Sequence, residues 1–241
     1  MKAITKKTIA QSDPDFAAGE IILIDKAIRK SSFDCVYKVR KAVEVKKVGH
    51  AGTLDPNATG LVIVCTGRKT KEISKIQDLE KTYTGIITLG RTTRSFDSES
   101  EFDSEKSFDH ITESEIAEAR QKFLGEITQR PPMFSAVKHN GQPLYKFARK
   151  GREIEREERT VSVSRFEILK TDLPDIYFEI SCSKGTYIRT IAHDLGALLG
   201  CGAYLKQLRR TKIGEFDVND ALTLDEFKEF AKNFSIAAEM N

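Results

Sequence analysis

The chain has 241 residues, 39% of them hydrophobic and 31% charged, with a formal net charge of +3. That is enough chain for one large domain, or one domain with an insertion, around a real core. No apolar run approaches the ~18 residues a membrane helix needs, and the lysine-bearing N-terminus lacks the apolar stretch of a secretory signal, so a cytoplasmic location is expected.

Residues 1–18 read as a polar leader, frayed or loosely packed. "EIILIDKA", from Glu20, reads as a strand. "SSFDCVYKVRKAV" follows as a helix, with Ser31 and Asp34 three apart as a capping box and Phe33, Val36, Val39 and Val43 on one face. "GHAGTLDPNATG" (49–60) breaks both helix and strand and reads as an ordered loop. "LVIVCTG" after it reads as a buried strand or a buried helical turn. "KTYTGIITLG" (81–90) reads as a strand ending at a turn. The acidic, serine-rich run at 96–109 reads as a solvated loop.

"TESEIAEARQKFLG" reads as a helix capped by Thr112 and Glu115 and stopped by Gly125. In "TQRPPMFSAVKHNGQPLYKFARKGREIE", Pro131-Pro132 excludes helix and Asn140-Gly141 suits a tight hairpin turn. "RTVSVSRFEIL" and "IYFEISCS" alternate and read as paired strands. "GTYIRTIAHDLGALLG" reads as a loop entering an amphipathic helix stopped by Gly200, and a short helix follows "YLKQLRRTKIGEF". The pattern is α+β with a mainly antiparallel mixed sheet flanked by helices. No linker separates two domains. One domain over 19–241 is expected, with an insertion at about 129–159.

Charge is unevenly placed. Residues 138–152 carry five basic side chains and no acid, and residues 206–212 carry four and none. Such segregation suits a polyanion-binding face. The cysteines (Cys35, Cys65, Cys182, Cys201) form no C-x-x-C pair and read as reduced core residues. The four histidines make no ligand spacing, so no metal is expected.

Asp55 is the carboxylate best placed for chemistry. An aspartate before proline often only makes an Asx turn. Here Thr53, Thr59 and His50 share its loop, and flanking glycines allow a ligand close to the backbone. Arg189, among apolar neighbours, needs a buried acidic partner, for which the loop carboxylate is the obvious candidate. Tyr83 reads as sheet packing and Leu208 as core. His193 and Asp194 are adjacent on a helix, point to different faces and do not make a dyad.

Four ordered blocks, "GHAGTLDPNATGLVIVCTG", "KTYTG", "SKGTYIRTIAHDLG" and "YLKQLRRTKIG", together resemble the TruB-type family of bacterial tRNA pseudouridine synthases. "RPPMFSAVKHNGQPLYKFARKG" resembles that family's RNA-clasping insertion. The match runs from about Gly19 to about Phe216. The resemblance implies isomerisation of the T-loop uridine of tRNA, position 55, to pseudouridine. It implies no cofactor and no metal, with a tRNA-folding role alongside. It puts the catalytic aspartate on Asp55, the base-facing tyrosine on Tyr83, the aspartate-pairing arginine on Arg189 and an apolar pocket lining on Leu208. The stacking histidine falls on His50, and Lys81 matches a basic residue before the tyrosine.

The bound partner is then the T-arm of tRNA. Lys138, Tyr145, Lys146, Arg149 and Lys150 are placed to hold it, together with the basic run at 206–212. A monomer without an obligate protein partner is expected. Many family members continue into a PUA-type domain; about 25 residues follow the last block here, so none is expected.

Overall fold

The computed structural model describes residues 2–235; Met1 and residues 236–241, the ends of the expected leader and catalytic domain, lie outside the described residues. The described chain forms two compact units, residues 2–83 with 209–235, and Thr84–Leu208. The first contains β1 (Ile21–Lys26), α1 (Ser32–Val43), β2 (Val48–His50), β3 (Thr59–Thr66), α2 (Ile73–Asp78) and the start of β4 (Lys81–Leu89). The second takes the rest of β4, then β5 (Arg91–Thr93), β6 (Phe102–Glu105), α3 (Glu113–Gln121) and β7 (Gly125–Gln129). It continues with β8 (Lys138–His139), β9 (Gln142–Pro143), α4 (Leu144–Ala148), β10 (Arg159–Asp172), β11 (Asp175–Cys182), α5 (Ile188–Leu198) and most of β12 (Ala203–Ile213). The chain returns to the first unit inside β12 and adds β13 (Phe216–Asp217) and α6 (Leu224–Ser235). Both crossings occur within strands, so no linker composition marks them.

In the first unit β1 and β2 run antiparallel to β3, β13 pairs antiparallel with β12, and the end of β12 lies parallel to β3 at Arg209↔Thr59 and Arg210↔Gly60. "LVIVCTG" is strand because its β-branched residues pair in register with β1, from Leu61↔Asp25 to Cys65↔Ile21. Ile21, Leu23, Leu61, Ile63 and Cys65 enter one core cluster with Ile76, Ile213 and Phe216. Ile22, Ile24, Val62 and Val64 are buried as well. Both faces are covered, which explains continuous apolar runs in place of alternation. In the second unit the strand order is β12-β4-β11-β10-β7, with β10 antiparallel to both neighbours. Phe123, Phe166 and Phe178 meet edge-on at 6.2–6.3 Å in its core. The architecture is α+β with a mixed, mainly antiparallel sheet.

Both capping boxes form, at Ser31/Asp34 and Thr112/Glu115. The Asn140-Gly141 hairpin forms too, with both residues at positive φ (49° and 79°), as a two-residue turn between β8 and β9 requires. Several expectations change. The buried face of α1 is Ser32, Cys35, Val36 and Val39, while Phe33 is exposed. The buried stripe keeps Val36 and Val39 but takes in Ser32 and Cys35, which leaves Phe33 outside. Gly125 opens β7 and does not stop α3, which ends at Gln121. The N-terminal segment is not loose. Ile4 donates to Ile21 O at 2.8 Å and accepts from Leu23 N at 3.1 Å, and Ile4 and Phe16 are buried.

Gly60 shows how tightly one point is built. It pairs with Lys26 on one side and Arg210 on the other at φ 106°, and a Cβ there would sit 2.3 Å from the Arg210 carbonyl oxygen. Gly185 has φ 81° but open space around it. Gly60→Ala is therefore expected to lose more than ~3 kcal/mol in urea denaturation, against ~1–2 kcal/mol for Gly185→Ala, where only the backbone conformation resists.

Candidate active site

The Asp55 loop joins β2 to β3, and three elements of the first unit hold it. From β12, Arg210 is almost fully buried and donates through Nε to Leu61 O at 2.8 Å, through Nη1 to Thr53 O at 3.2 Å and through Nη2 to Gly52 O at 3.2 Å. From α1, Ser32 Oγ accepts from Leu54 N at 2.8 Å and lies 3.2 Å from Leu54 O. From β1, the fully buried Lys26 ammonium donates to Ala58 O, to Lys30 O at 2.7 Å and to Pro56 O at 3.4 Å. The loop closes on itself with Ala58 N to Asp55 O at 3.0 Å. Asp55 is thus a half-buried carboxylate on backbone anchored at Gly52, Thr53, Leu54, Pro56 and Ala58. Buried cations saturated by carbonyl oxygens make such a frame stiff, because loosening it leaves donors and acceptors unsatisfied.

Lys26 and Arg210 are not legible in the sequence as site residues. A lysine ending an apolar strand and an arginine inside a basic run give no such signal; only parallel pairing of β12 with β3 brings Arg210 under the loop. Burial pushes the Lys26 ammonium down to about 8, with Cys35 and Asp55 pulling it back up. His50, at the end of β2, is half-buried and lies below the usual histidine range, chiefly through burial, with Arg210 adding to the effect and the Gly52 backbone opposing it. It is neutral at pH 7. Its Nδ1 is buried without a hydrogen bond among the described residues.

Lys81 and Tyr83 lie two apart on β4, on one side of the strand. Lys81 is buried and donates to Gln77 O and Leu79 O at the end of α2, while Tyr83 is half-buried.

In the second unit Arg189 stands in the first turn of α5 and is 4% exposed. It donates to Ser95 O at 3.2 Å and Phe134 O at 2.9 Å, and its Nε lies 3.6 Å from Asp97 Oδ2. The other Asp97 oxygen accepts from Ser95 Oγ at 2.6 Å and Glu99 N at 2.9 Å. Arg189 therefore ties the 129–159 insertion to the acidic stretch. That stretch corrects the expected solvated loop: Asp97 is buried, Leu205 N donates to Phe96 O, and β6 pairs with β5. Phe96, at φ 63°, stacks on His193 at 3.9 Å, and burial keeps that histidine below its usual range. Leu208 is half-buried on β12, less enclosed than the core position expected.

Lys138, Lys146, Arg149 and Lys150 are exposed on the insertion, and Tyr145 is half-buried with the Arg149 guanidinium 5.5 Å from its ring centre. Arg149 also lies 3.9 Å from Glu99. The second basic run is open only in part, with Lys206 and Lys212 exposed. Arg210 is buried under the Asp55 loop, Arg209 grips Asp25 through two bonds of 3.0 and 2.7 Å, and Lys206 pairs with Asp175 at 2.7 Å. Among the described residues, no cluster of three His, Cys, Asp or Glu side chains is placed to hold a metal ion.

Residues 40–188 match the TruB family pseudouridylate synthase N-terminal domain. The chain belongs to that family. Residues 189–239 match the tRNA pseudouridylate synthase B C-terminal domain. The tRNA pseudouridine synthase B of Flavobacterium johnsoniae is 46% identical over 222 residues, covering 89% of this chain and 97% of the relative. That of Chloroherpeton thalassium is 49% identical over 216 residues, covering 88% and 90%. Among solved structures, a Cbf5-Nop10-Gar1 complex aligns with TM-score 0.71 at 26% identity, covering 98% of this chain and 61% of that one. Family membership sets the reaction class as an isomerase and agrees with the four blocks read from the sequence.

Lys26→Met is expected to cost ~1–3 kcal/mol near neutral pH, since the carbonyls of the loop lose their donor. Above about pH 8 the folded chain has released the Lys26 proton while the unfolded chain keeps it up to the ordinary lysine value of 10.5. Stability of the wild type relative to the variant should therefore rise with pH across that window, as urea denaturation at a series of pH values will show.

Proposed function

We propose that this chain converts uridine 55 in the T-loop of tRNA to pseudouridine, with Asp55 starting the reaction on an extruded base. The observation that carries this reading is a half-buried carboxylate on a loop fastened by Arg210, Ser32 and Lys26. A carboxylate that must meet one sugar atom benefits from a frame that does not move.

The chemistry asks little beyond that group. The C1′–N1 bond of the nucleotide breaks, the uracil turns, a C1′–C5 bond forms, N1 takes up a proton and C5 gives one to solvent. No electrons are gained or lost overall. Asp55 begins the sequence either as nucleophile or by taking a sugar proton. Tyr83 faces the uracil and serves removal of the C5 proton. The family resemblance makes Arg189 the aspartate-pairing arginine; its bonds to Ser95 O and Phe134 O limit its own freedom.

Extrusion of the base costs a few kcal/mol, offset by stacking and pocket contacts. His50, held neutral by burial, supplies a flat apolar face for the vacated stack, and Leu208 lines the pocket. Lys81 holds the start of β4 through its carbonyl bonds and so sets the position of Tyr83. The insertion holds the T-arm through Lys138, Lys146, Arg149 and Lys150, with Tyr145 as its stacking surface. Binding and releasing a partly opened tRNA gives the folding role.

Asp55→Asn should abolish release of tritium from [5-³H]uridine-labelled tRNA while leaving tRNA binding nearly intact. A variant that keeps more than a small fraction of the rate removes Asp55 from the mechanism. Replacing Lys146, Arg149 and Lys150 together by alanine should weaken tRNA binding, with a much smaller fall in rate at saturating tRNA. Each phosphate that is no longer neutralised should flatten the slope of log K against log salt by ~0.7–0.9. Filter binding across a salt series reads this, and an unchanged slope moves the binding face elsewhere.

A further inference from the structure

The outward face of α1 carries features that neither the fold nor the proposed chemistry uses. Phe33 is 62% exposed, Tyr37 56% and Ile28 56%, three of the largest exposed apolar side chains among the described residues. Phe33 and Tyr37 are four apart on the helix, so their rings stand on one face, one turn from each other. Lys41, exposed, continues the row one turn further, and Arg29 and Lys30 precede it, also exposed. The row from Phe33 to Lys41 is about 12 Å long at 1.5 Å per residue.

The surroundings are basic. Residues 28–41 hold five lysines and arginines and one acid. That acid, Asp34, is turned back onto the helix start, accepting from Ser31 N at 2.7 Å and Ser31 Oγ at 2.8 Å. The row also begins beside the catalytic loop. Arg29, in the left-handed conformation at φ 61°, donates its N–H to Pro56 O at 2.8 Å, next to Asp55.

We infer that this face of α1 is a second RNA contact, on which unpaired nucleotides flanking the target loop stack against Phe33 and Tyr37 while Arg29, Lys30 and Lys41 neutralise their phosphates. The inference rests on the tRNA reading above. Exposed rings in helical register with cations on both sides suit a base–phosphate chain: bases stack on any ring, and each nucleotide brings one charge. An apolar protein partner would find the rings but would leave the exposed Arg29, Lys30 and Lys41 unmatched. The link from Arg29 to Pro56 places the start of this row beside the loop that carries Asp55.

The test is retention of a full-length, unmodified tRNA transcript on filters, measured in an Asp55→Asn background so that no turnover occurs. Phe33→Ala with Tyr37→Ala should raise the dissociation constant at least about fivefold with the salt slope kept, because stacking releases no counterions. Lys30→Ala with Lys41→Ala should instead flatten the slope by ~0.7–0.9 for each phosphate left without its cation. All four side chains are on the surface, and thermal melting checks that each variant is folded. Both variants binding as the parent does would overturn the site. So would sedimentation showing a wild-type dimer that the Phe33/Tyr37 variant turns into a monomer with unchanged tRNA affinity, since the rings then serve a second copy of the chain. Absence of tritium release by the wild type would overturn the isomerase reading separately. The surface variants would still decide the α1 site, because retention on the filter needs no catalysis.

Discussion

A guanidinium removed from water must find acceptors for its N–H groups, and Arg210 finds them in the backbone carbonyls of Gly52, Thr53 and Leu61. The rest of the first unit is arranged around that requirement. β12 has to lie parallel to β3 at Gly60 for the side chain to reach, and Gly60 has to lack a Cβ for the strands to approach. Lys26 repeats the device from β1, and Ser32 from α1, so the Asp55 loop is held by polar contacts on several sides. These partners make the loop's position a property of the whole unit. A surface loop held only by its own turns would sample positions that a single reacting carboxylate cannot use.

Arg189 plays the corresponding part in the second unit. Its bonds to Ser95, Phe134 and Asp97 join the helix that carries it to the acidic stretch and to the insertion. The acidic stretch thereby acquires a structural reason. Asp97 is buried as a counter-charge, Phe96 packs on His193, and the remaining acids of 96–109 stay near the surface. The insertion is attached at Phe134, close to its base, while its basic residues are exposed further along.

Charge runs in the sequence divide into two kinds once partners are known. The basic side chains of the run at 138–152 are exposed, with Arg149 over the Tyr145 ring and 3.9 Å from Glu99. The run at 206–212 is divided: Arg210 is buried under the loop and Arg209 pairs with Asp25, while Lys206 and Lys212 stay exposed beside Asp175 and Asp217. Residues 28–41 do not stand out in the sequence as a charge cluster because a single helix interleaves them with core positions. Folding sorts them outward by 100° steps, leaving Cys35, Val36 and Val39 inside and the aromatic and basic residues outside.

Local chemistry carries much of the structure. The two capping boxes, the Asn140-Gly141 turn, the paired β10 and β11 strands and the ordered loop around Asp55 are all legible, because each depends on residues a few positions apart. Ordered motif blocks carry the family. The stripe of α1 is misjudged from sequence at Phe33, since its burial depends on what packs against the helix and not on apolarity alone. Tertiary structure alone decides the roles of Arg210, Lys26 and Asp97. Their partners lie 149–158, 4–32 and 92 positions away in the chain, apart from local contacts, and a buried charge is explained only by the groups that surround it.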